Sequence, residues 1–494
     1  MTYDTVVVGG GVSGLTSALI LARHGRRVAV VEKAAKPASL IGGFERGGIY
    51  FDSAFHYAGG LGNGDILDLF FHYLGIDRLL RKVPLDQNKF DIFRDSASGW
   101  EFSFPCGIAA LQEALCEAVP HEARGIQSYF VCLAAAFRQL PYLNPGTPEV
   151  TWNPVEAVHG PSLAEVLRRF IRDPRLGHLL SLHTLLHGVS PQEIPFSIHA
   201  GVVLPFYRSP CRIAGGGRAL AAAFSAQIQA AGISLIQGRS AEKLVLSASG
   251  HLQGLKLADG ESLACRECVV SIHPRRFLAL APQGALRPAY RNRLMGLEDT
   301  SSGYILFLHG LAPPPILAGS NLYLGFSGQG MAEALSSLER RPLFVAGGAF
   351  HADSAQTGHG WSVICPASWL EMEGEWASAG FPRSDSYRAA KEEVSGRIFQ
   401  RLAHEAPEIV QGARLIEAAT PLTLRNHCGG PRGGIYGVRQ AVGQYNPQPA
   451  TRIPNVYLCG QATAAPGVLG AMVSAFLTCG HILGDDRLRR EIMA

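Results

Sequence analysis

The sequence predicts an α/β fold, and three stretches carry the prediction. They are a βαβ pattern ending at Lys33, a run of short strands from Ile233 to Ile272, and a strand-to-helix junction after Asn455. In the first, the apolar run Thr5–Val8 is followed by Gly9-Gly10-Gly11-Val12-Ser13-Gly14, a G-x-G-x-x-G. An Ala/Leu-rich helical pattern then runs to Arg23, and Gly25 ends it. A second apolar run reaches Val31, with Glu32 at its tip and Lys33 next. The glycines permit a tight turn and close backbone approach to a pyrophosphate, and the N–H groups at the helix start face that anion. Glu32 is placed to accept hydrogen bonds from a ribose. A G-x-G-x-x-G alone is common in structural turns. Strand, turn, helix, strand and acid in that order specify a Rossmann-type dinucleotide-binding domain.

The next elements follow in chain order. Paired glycines at Gly42-Gly43 and Gly59-Gly60 let the backbone lie against something large and flat. Asn63–Leu74 reads as an amphipathic helix. Residues 76–214 mix helical patterns with aromatic and proline-rich loops, and Ser162-Leu163-Ala164-Glu165 is a capping box. His183 and His187 stand at i, i+4, but no acid completes an H-E-x-x-H, so they read as a satisfied pair and no metal is expected. A helix starts at Gly215-Gly216-Gly217 and ends at Gly232. Strands at 233–237, 244–246, 252–257, 262–264 and 269–272, with turn signals between them, suggest a β-meander flanking the nucleotide domain.

Residues 290–414 read as an insertion, with a strand at Ser302–Leu308, a Pro313-Pro314-Pro315 loop and a helix over 386–404 that stops before Pro407. Asn455–Gly460 is then a strand ending in glycine. Gln461 follows, and Pro466-Gly467-Val468-Leu469-Gly470-Ala471 opens an apolar helix over 472–483. A strand delivering a polar residue to a helix start is a second anion or carbonyl site. Both chain ends therefore close one discontinuous domain, made of 1–75, 215–290 and 415–494. Residues 76–214 and 291–414 form an inserted mixed α+β domain for substrate.

Composition narrows the classes. The chain has 494 residues, 47% hydrophobic and 17% charged, with a formal net charge of +4. No basic block suits nucleic acid. No run of eighteen apolar residues suits a membrane span. The first strand begins by Thr5, leaving no room for a signal or transit peptide, and ten scattered cysteines form no disulfide framework. The expected setting is cytoplasmic, with peripheral membrane association left open. Cys265-x-x-Cys268 lacks a second ligand pair and reads as incidental. Oligomeric state is not legible.

Taken together, these motifs resemble the FAD-dependent phytoene desaturase, carotenoid isomerase and retinol saturase family, and more distantly amine oxidases and protoporphyrinogen oxidases. Val6–Glu32 match its ADP fingerprint. Gly42-Gly43 and Phe51-Asp52-Ser53-Ala54-Phe55-His56-Tyr57 match its second flavin motif. The third part is matched by Thr420–Thr423, Gly434-Ile435-Tyr436-Gly437, Leu458-Cys459-Gly460-Gln461 and Pro466–Ala471. The Gly-Gln pair and Pro195-Phe196-x-x-His199 look most like the retinol saturase and carotenoid isomerase branch.

The resemblance implies FAD, with its ADP half on Gly9, Gly11, Val12, Ser13 and Gly14 and its ribose on Glu32 beside Lys33. Gly42 and Gly43 would pass the ribityl chain. Gly460 and Gln461 would bind near the pyrophosphate or ribitol. Gly467, Val468, Gly470 and Ala471 would point N–H groups at the flavin's carbonyl edge. Phe44, His56, Tyr57, Leu244 and Tyr436 complete the implied contacts. Phe44 replaces a basic residue common at that position, and Pro210-Cys211-Arg212-Ile213 replaces a more usual Gly- and Tyr-containing stretch.

The implied reaction is hydride transfer to or from a C–C or C=C bond of a long apolar polyene or isoprenoid, as desaturation, saturation or isomerisation. His56, His199 and Tyr207 are the catalytic candidates. Each reads either as a proton donor or acceptor, or as a packed polar residue. Residues 198–206 and 133–137 are apolar stretches that suit a substrate tunnel, a bilayer contact or ordinary core. An amine oxidase-like enzyme is the first alternative, although no lysine falls in the segments read as substrate pocket. A prenyl carrier of the Rab GDP-dissociation inhibitor type, without flavin, is the second.

Overall fold

We describe a computed structural model of the protein over residues 2–147, 159–325, 337–348, 358–372 and 383–494. Two seven-stranded sheets dominate it. In the first, Thr2–Val8 lies between Val28–Glu32 and Ser262–Val270, all parallel, with Ser234–Gln237 beyond Val28–Glu32. Val456–Leu458 adds in parallel to Ser262–Val270, pairing Val269 with Tyr457. The core of this sheet is covered on both faces, so its strands read as continuous Val runs rather than alternating ones. The helix Val12–Arg23 covers one face beside Gly467–Leu483, the helix at the other end of the chain.

Ala241–Leu246 and Leu252–Leu257 form the expected meander, antiparallel on the outer edge. One correction concerns its last strand. The stretches 262–264 and 269–272 are parts of a single strand, Ser262–Val270. Its first half alternates exposed and buried residues against the meander, and its second half is wholly buried beside Thr2–Val8. Arg266 and Glu267 interrupt the apolar run because they sit where one pattern passes into the other.

The second sheet runs in the order Arg414–Ala419, Ser302–Gly310, His359–Ala367, Leu343–Gly347, Asn321–Gly325, Asp91–Asp95, Glu101–Phe104. Arg414–Ala419 belongs to this sheet, pairing Ile305 with Ala419. Residues 415–419, expected in the nucleotide-binding segment, thus pair in the second sheet. Five helices pack as a layer beside this sheet and bury Tyr129, Phe130, Leu133 and Phe137 in a common core. Ser162 and Glu165 do form a capping box, opening Leu163–Phe170. His183 lies in a 3₁₀ turn, Leu182–Leu186, that His187 terminates.

All ten cysteines are free. Among the described residues no group of three His, Cys, Asp or Glu can hold a metal, and no helix is long and apolar enough to cross a membrane.

Candidate functional site

The two sheets and the helical layer enclose a cavity of about 1180 Å³. That exceeds the roughly 300–1,000 Å³ of a single small-molecule site. Its first wall is the turn after Thr2–Val8. Gly9 has φ 106°, and a Cβ on Gly14 would fall on the Gly9 carbonyl, so the helix can start against the strand end only with glycine there. The Ser271 hydroxyl, 3.1 Å from the Val8 carbonyl and 3.0 Å from that of Gly9, clamps the turn. Gly11 caps the helix Val12–Arg23 without any side-chain hydrogen bond, and a Cβ on it would meet nothing. The first-turn N–H groups thus face open space on the cavity side, as an anion site requires. Glu32 reaches the same turn, where its carboxylate accepts from Gly10 N–H at 2.6 Å and Ala34 N–H at 2.7 Å.

A second helix start faces the same cavity. Gly460 has φ 118°, donates its N–H to Ser474 Oγ at 2.8 Å and accepts from Thr463 Oγ1 at 2.8 Å. Gly467 opens the helix Gly467–Leu483 behind Pro466, again with no side-chain cap and with open space at its missing Cβ. Two helix dipoles from opposite ends of the chain therefore converge on one cavity. This is the cradle a dinucleotide needs.

The cavity wall contains Gly9, Gly11, Val12, Ser13, Glu32, Lys33, Gly43, Phe44, His56, Tyr57, Tyr436, Gly460, Gln461, Gly467, Val468, Gly470 and Ala471. Gly14 and Gly42 stand behind it. Gly43, at φ 66°, has the Phe51 carbonyl and Tyr50 ring where a side chain would be. Phe44 packs against Phe51 at 5.6 Å and edge-on to Phe307 at 4.8 Å, making the wall apolar at this position. Gly59 meets the backbone of Pro205 and Phe206, so this glycine pair serves a protein contact at a point where Gly59 also lines the cavity.

Besides Gly14 and Gly42, three expected site residues lie off the wall. Leu244 is buried among Leu255, Leu257 and Phe277, because its strand turns that side chain toward the meander's own core. Ser240, Ala241 and Glu242, just before it, reach the cavity instead. The helix Phe196–Arg208 presents Ile198, Gly201, Val202 and Phe206 to the cavity, which turns His199 and Tyr207 into the helical layer. There His199 Nδ1 meets His187 Nε2 at 3.2 Å, and Tyr207 Oη meets His183 Nδ1 at 3.2 Å. The stretch 198–206 is thus cavity wall and core, and Leu133 and Phe137 of the second apolar stretch are core.

His56 is the catalytic candidate that reaches the cavity. Its Nε2 is buried without a partner among the described residues. Burial and then the charge of Arg212 hold its pKa down to about 4, so the ring is neutral near pH 7. Behind His56 and Tyr57 lies a buried network that the sequence did not reveal. Asp91, fully buried, accepts from Tyr57 Oη at 2.9 Å and Asn321 Nδ2 at 2.8 Å and stands 2.9 Å from His183 Nε2. Tyr57 Oη also lies 3.0 Å from Tyr323 Oη. Arg212, 2% exposed, donates to the Leu317 and Ser320 carbonyls at 2.8 Å each and to Asn321 Oδ1 at 3.0 Å. Burial pulls its pKa down to about 10. The one available signal was an arginine flanked by Cys211 and Ile213 in an apolar strand. A lysine missed by sequence also reaches the wall: Lys391, whose ammonium donates to Glu417 at 2.6 Å.

Comparisons with known proteins agree with this geometry. Residues 7–74 match the model of an NAD(P)-binding Rossmann-like domain. The all-trans-retinol 13,14-reductase of Rattus norvegicus is 24% identical, over 97% of this chain and 85% of that one. The hydroxyneurosporene desaturase of Rubrivivax gelatinosus is 29% identical over 54% of this chain and 53% of its own. The chloroplastic prolycopene isomerase 1 of an Oncidium hybrid is 26% identical over 54% and 48%. Among solved structures, an oxidoreductase from Methanosarcina mazei superposes with a TM-score of 0.67 at 16% identity, over 96% of this chain and 98% of that one. A putrescine oxidase triple mutant reaches 0.66 at 13% identity, over 98% and 99%. The structural matches speak to the fold alone.

Proposed function

We infer that this chain, which belongs to the FAD-dependent carotenoid and retinol desaturase–isomerase family, is an oxidoreductase or isomerase acting on C–C or C=C bonds of a long apolar polyene or isoprenoid. The observation that carries the reading is the shared cavity. One end presents two uncapped helix starts and an acid to a dinucleotide, and the other is an arm of Leu, Ile, Val and Phe side chains.

The residues fit FAD. Gly9, Gly11, Val12 and Ser13 would hold its pyrophosphate by backbone N–H groups, with Gly14 behind them allowing the helix to close up. Glu32 would take a ribose hydroxyl, beside Lys33. Gly43 and Phe44 would flank the ribityl chain, Gly460 and Gln461 would bind near the pyrophosphate or ribitol, and Val468–Ala471 would direct N–H groups at the carbonyl edge of the ring system. Bound there, FAD supplies two-electron hydride chemistry. The protein's share is to place an apolar alkene over the ring, exclude water and stabilise developing negative charge at the helix start. His56, neutral at working pH, would exchange a proton as imidazole rather than as imidazolium.

Absorbance of the purified protein, before and after anaerobic dithionite and then a polyene mixture, tests this. Flavin bands that bleach with polyene mean desaturation. Reduced flavin that recolours means saturation. Altered polyene without net flavin change means isomerisation. One observation favours an amine-oxidizing alternative, the cavity-lining Lys391, and peroxide release on polyamine addition would support it. Protein that neither carries nor takes up FAD would overturn the enzyme reading and leave the lipid-carrier one.

A further inference from the structure

The two ends of the cavity differ in access. At the nucleotide end the wall includes exposed groups such as Arg46, Ala54 and Arg276. At the far end Leu140, Pro141, Ile198, Gly201 and Val202 are all buried and Leu143 is partly so. Among the described residues the arm is therefore blind.

Its closure has a specific construction. The turn Pro141–Leu143 lies across the helix Phe196–Arg208 at that helix's single glycine. A Cβ on Gly201 would stand 2.7 Å from Leu140 Cδ1 and 3.1 Å from Leu143 Cδ1. Both leucines occupy space that any other residue would claim. The turn is also pinned from behind. Tyr142 Oη donates to Asp485 Oδ1 at 2.7 Å, and the Arg489 guanidinium lies 5.7 Å from that ring, both from the helix Asp485–Met493. Asn144 Nδ2 reaches the carbonyls of Phe137 at 2.7 Å and Leu140 at 3.0 Å. These contacts resist outward movement of the leucines.

From this geometry we propose that Leu140 and Leu143, seated on Gly201, form the stop that sets the maximum length of the apolar substrate. The inference rests on the reading of the arm as the polyene site. A well-packed wall does not yield to one more methylene without strain. Each carbon past the stop should therefore cost about tenfold or more in kcat/KM.

The test uses the FAD-loaded full chain and a homologous series of conjugated isoprenoids of rising length. Binding is read from the polyene's own absorbance shift and turnover from kcat/KM. The wild type should show a sharp length limit. Leu143→Ala and Leu140→Ala should move the limit to longer homologues, with roughly a tenfold gain for the first one previously rejected. Gly201→Ala should push the leucines into the arm and move the limit to shorter ones. Leu143→Met, close in volume, serves where the alanine variant does not fold and should shift the limit only slightly. A limit that stays in place in flavin-loaded Leu143→Ala and Gly201→Ala overturns the stop while leaving the polyene reading standing. Failure of every homologue to bind overturns the polyene reading, and the stop with it.

Discussion

The nucleotide end and the blind end of the cavity are made of different materials. The nucleotide end is mostly backbone: glycine turns, two uncapped helix starts and one carboxylate that already accepts two N–H bonds. The blind end is side chains from distant segments, held by a buried network joining Asp91 to Tyr57, His183 and Asn321, and by a clamp from Tyr142 to Asp485. A backbone site fails locally when a glycine is changed. A side-chain site buried in a core fails together with the fold.

The largest effect is expected at Asp91. It is fully buried, and its loss would leave Arg212 and three hydrogen-bonding partners without its charge. Asp91→Ala should cost about 3–5 kcal/mol, because one member of a buried charged network leaves the rest uncompensated. Urea denaturation should show a lower midpoint with an unchanged slope. A midpoint equal to wild type would mean that the blind end does not depend on this network.

At the nucleotide end, Gly11 and Gly14 of the same turn should separate folding from binding. Gly14→Ala forces a methyl into the Gly9 carbonyl and should cost about 1–3 kcal/mol of stability along with the flavin. Gly11→Ala meets no protein atom at φ −78° and should leave thermal stability within about 0.5 kcal/mol of wild type while weakening FAD retention. Calorimetry of the flavin-free protein and flavin content after gel filtration read the two effects. Equal destabilisation by both variants would break the distinction between turn and cradle.

The two ends of the cavity were also unequally legible in the sequence. The βαβ unit was legible because all its instructions lie within one contiguous run: glycines where φ is positive or Cβ would collide, Val where both sheet faces are covered, an acid at the strand tip. The C-terminal helix start was legible for the same reason. Most of the second sheet was not. Of its strands only Ser302–Gly310 was anticipated, since Asp91–Asp95 and Asn321–Gly325 pair in parallel across more than two hundred residues and neither carries a period-2 pattern. His199 and Tyr207 sit on the right helix but off the cavity-facing stripe, and periodicity alone does not say which stripe of a buried helix meets the cavity. Arg212 stood out only as an oddity, and its partners Ser320 and Asn321 lie more than a hundred residues away in the sequence.

The acid limb of stability probes the blind end again. Burial holds His56 near pKa 4 and His187 near 3, and His199 well below its ordinary 6.5. The unfolded imidazoles titrate near 6.5, so between that pH and the folded values the unfolded chain binds more protons. Stability is then complete above about pH 6.5 and falls as the pH drops toward 4. The loss is on the order of 1–2 kcal/mol per imidazole by pH 5. His187→Asn should flatten that limb in chemical denaturation at pH 5 against pH 7. An unchanged limb would show that the pair with His199 is hydrated rather than dry. Activity should show no His56 inflection near 6.5.

The smallest effect concerns Glu32. Its two oxygens accept from Gly10 N–H and Ala34 N–H, and these bonds fix the direction of the side chain. Glu32→Gln keeps one acceptor oxygen and its length but turns an amide toward one of those N–H groups. The turn should survive, since Ser271 still clamps Val8 and Gly9. What is lost is the charge-assisted part of the bond to a ribose hydroxyl, about 1 kcal/mol or roughly fivefold in FAD affinity. Flavin titration of the stripped protein measures it, with the melting temperature of the same sample as reference. A fivefold loss without a change in melting keeps Glu32 as a ligand group. A drop in melting with unchanged affinity would make it a strut of the turn, and the nucleotide end would then depend on side chains as the blind end does.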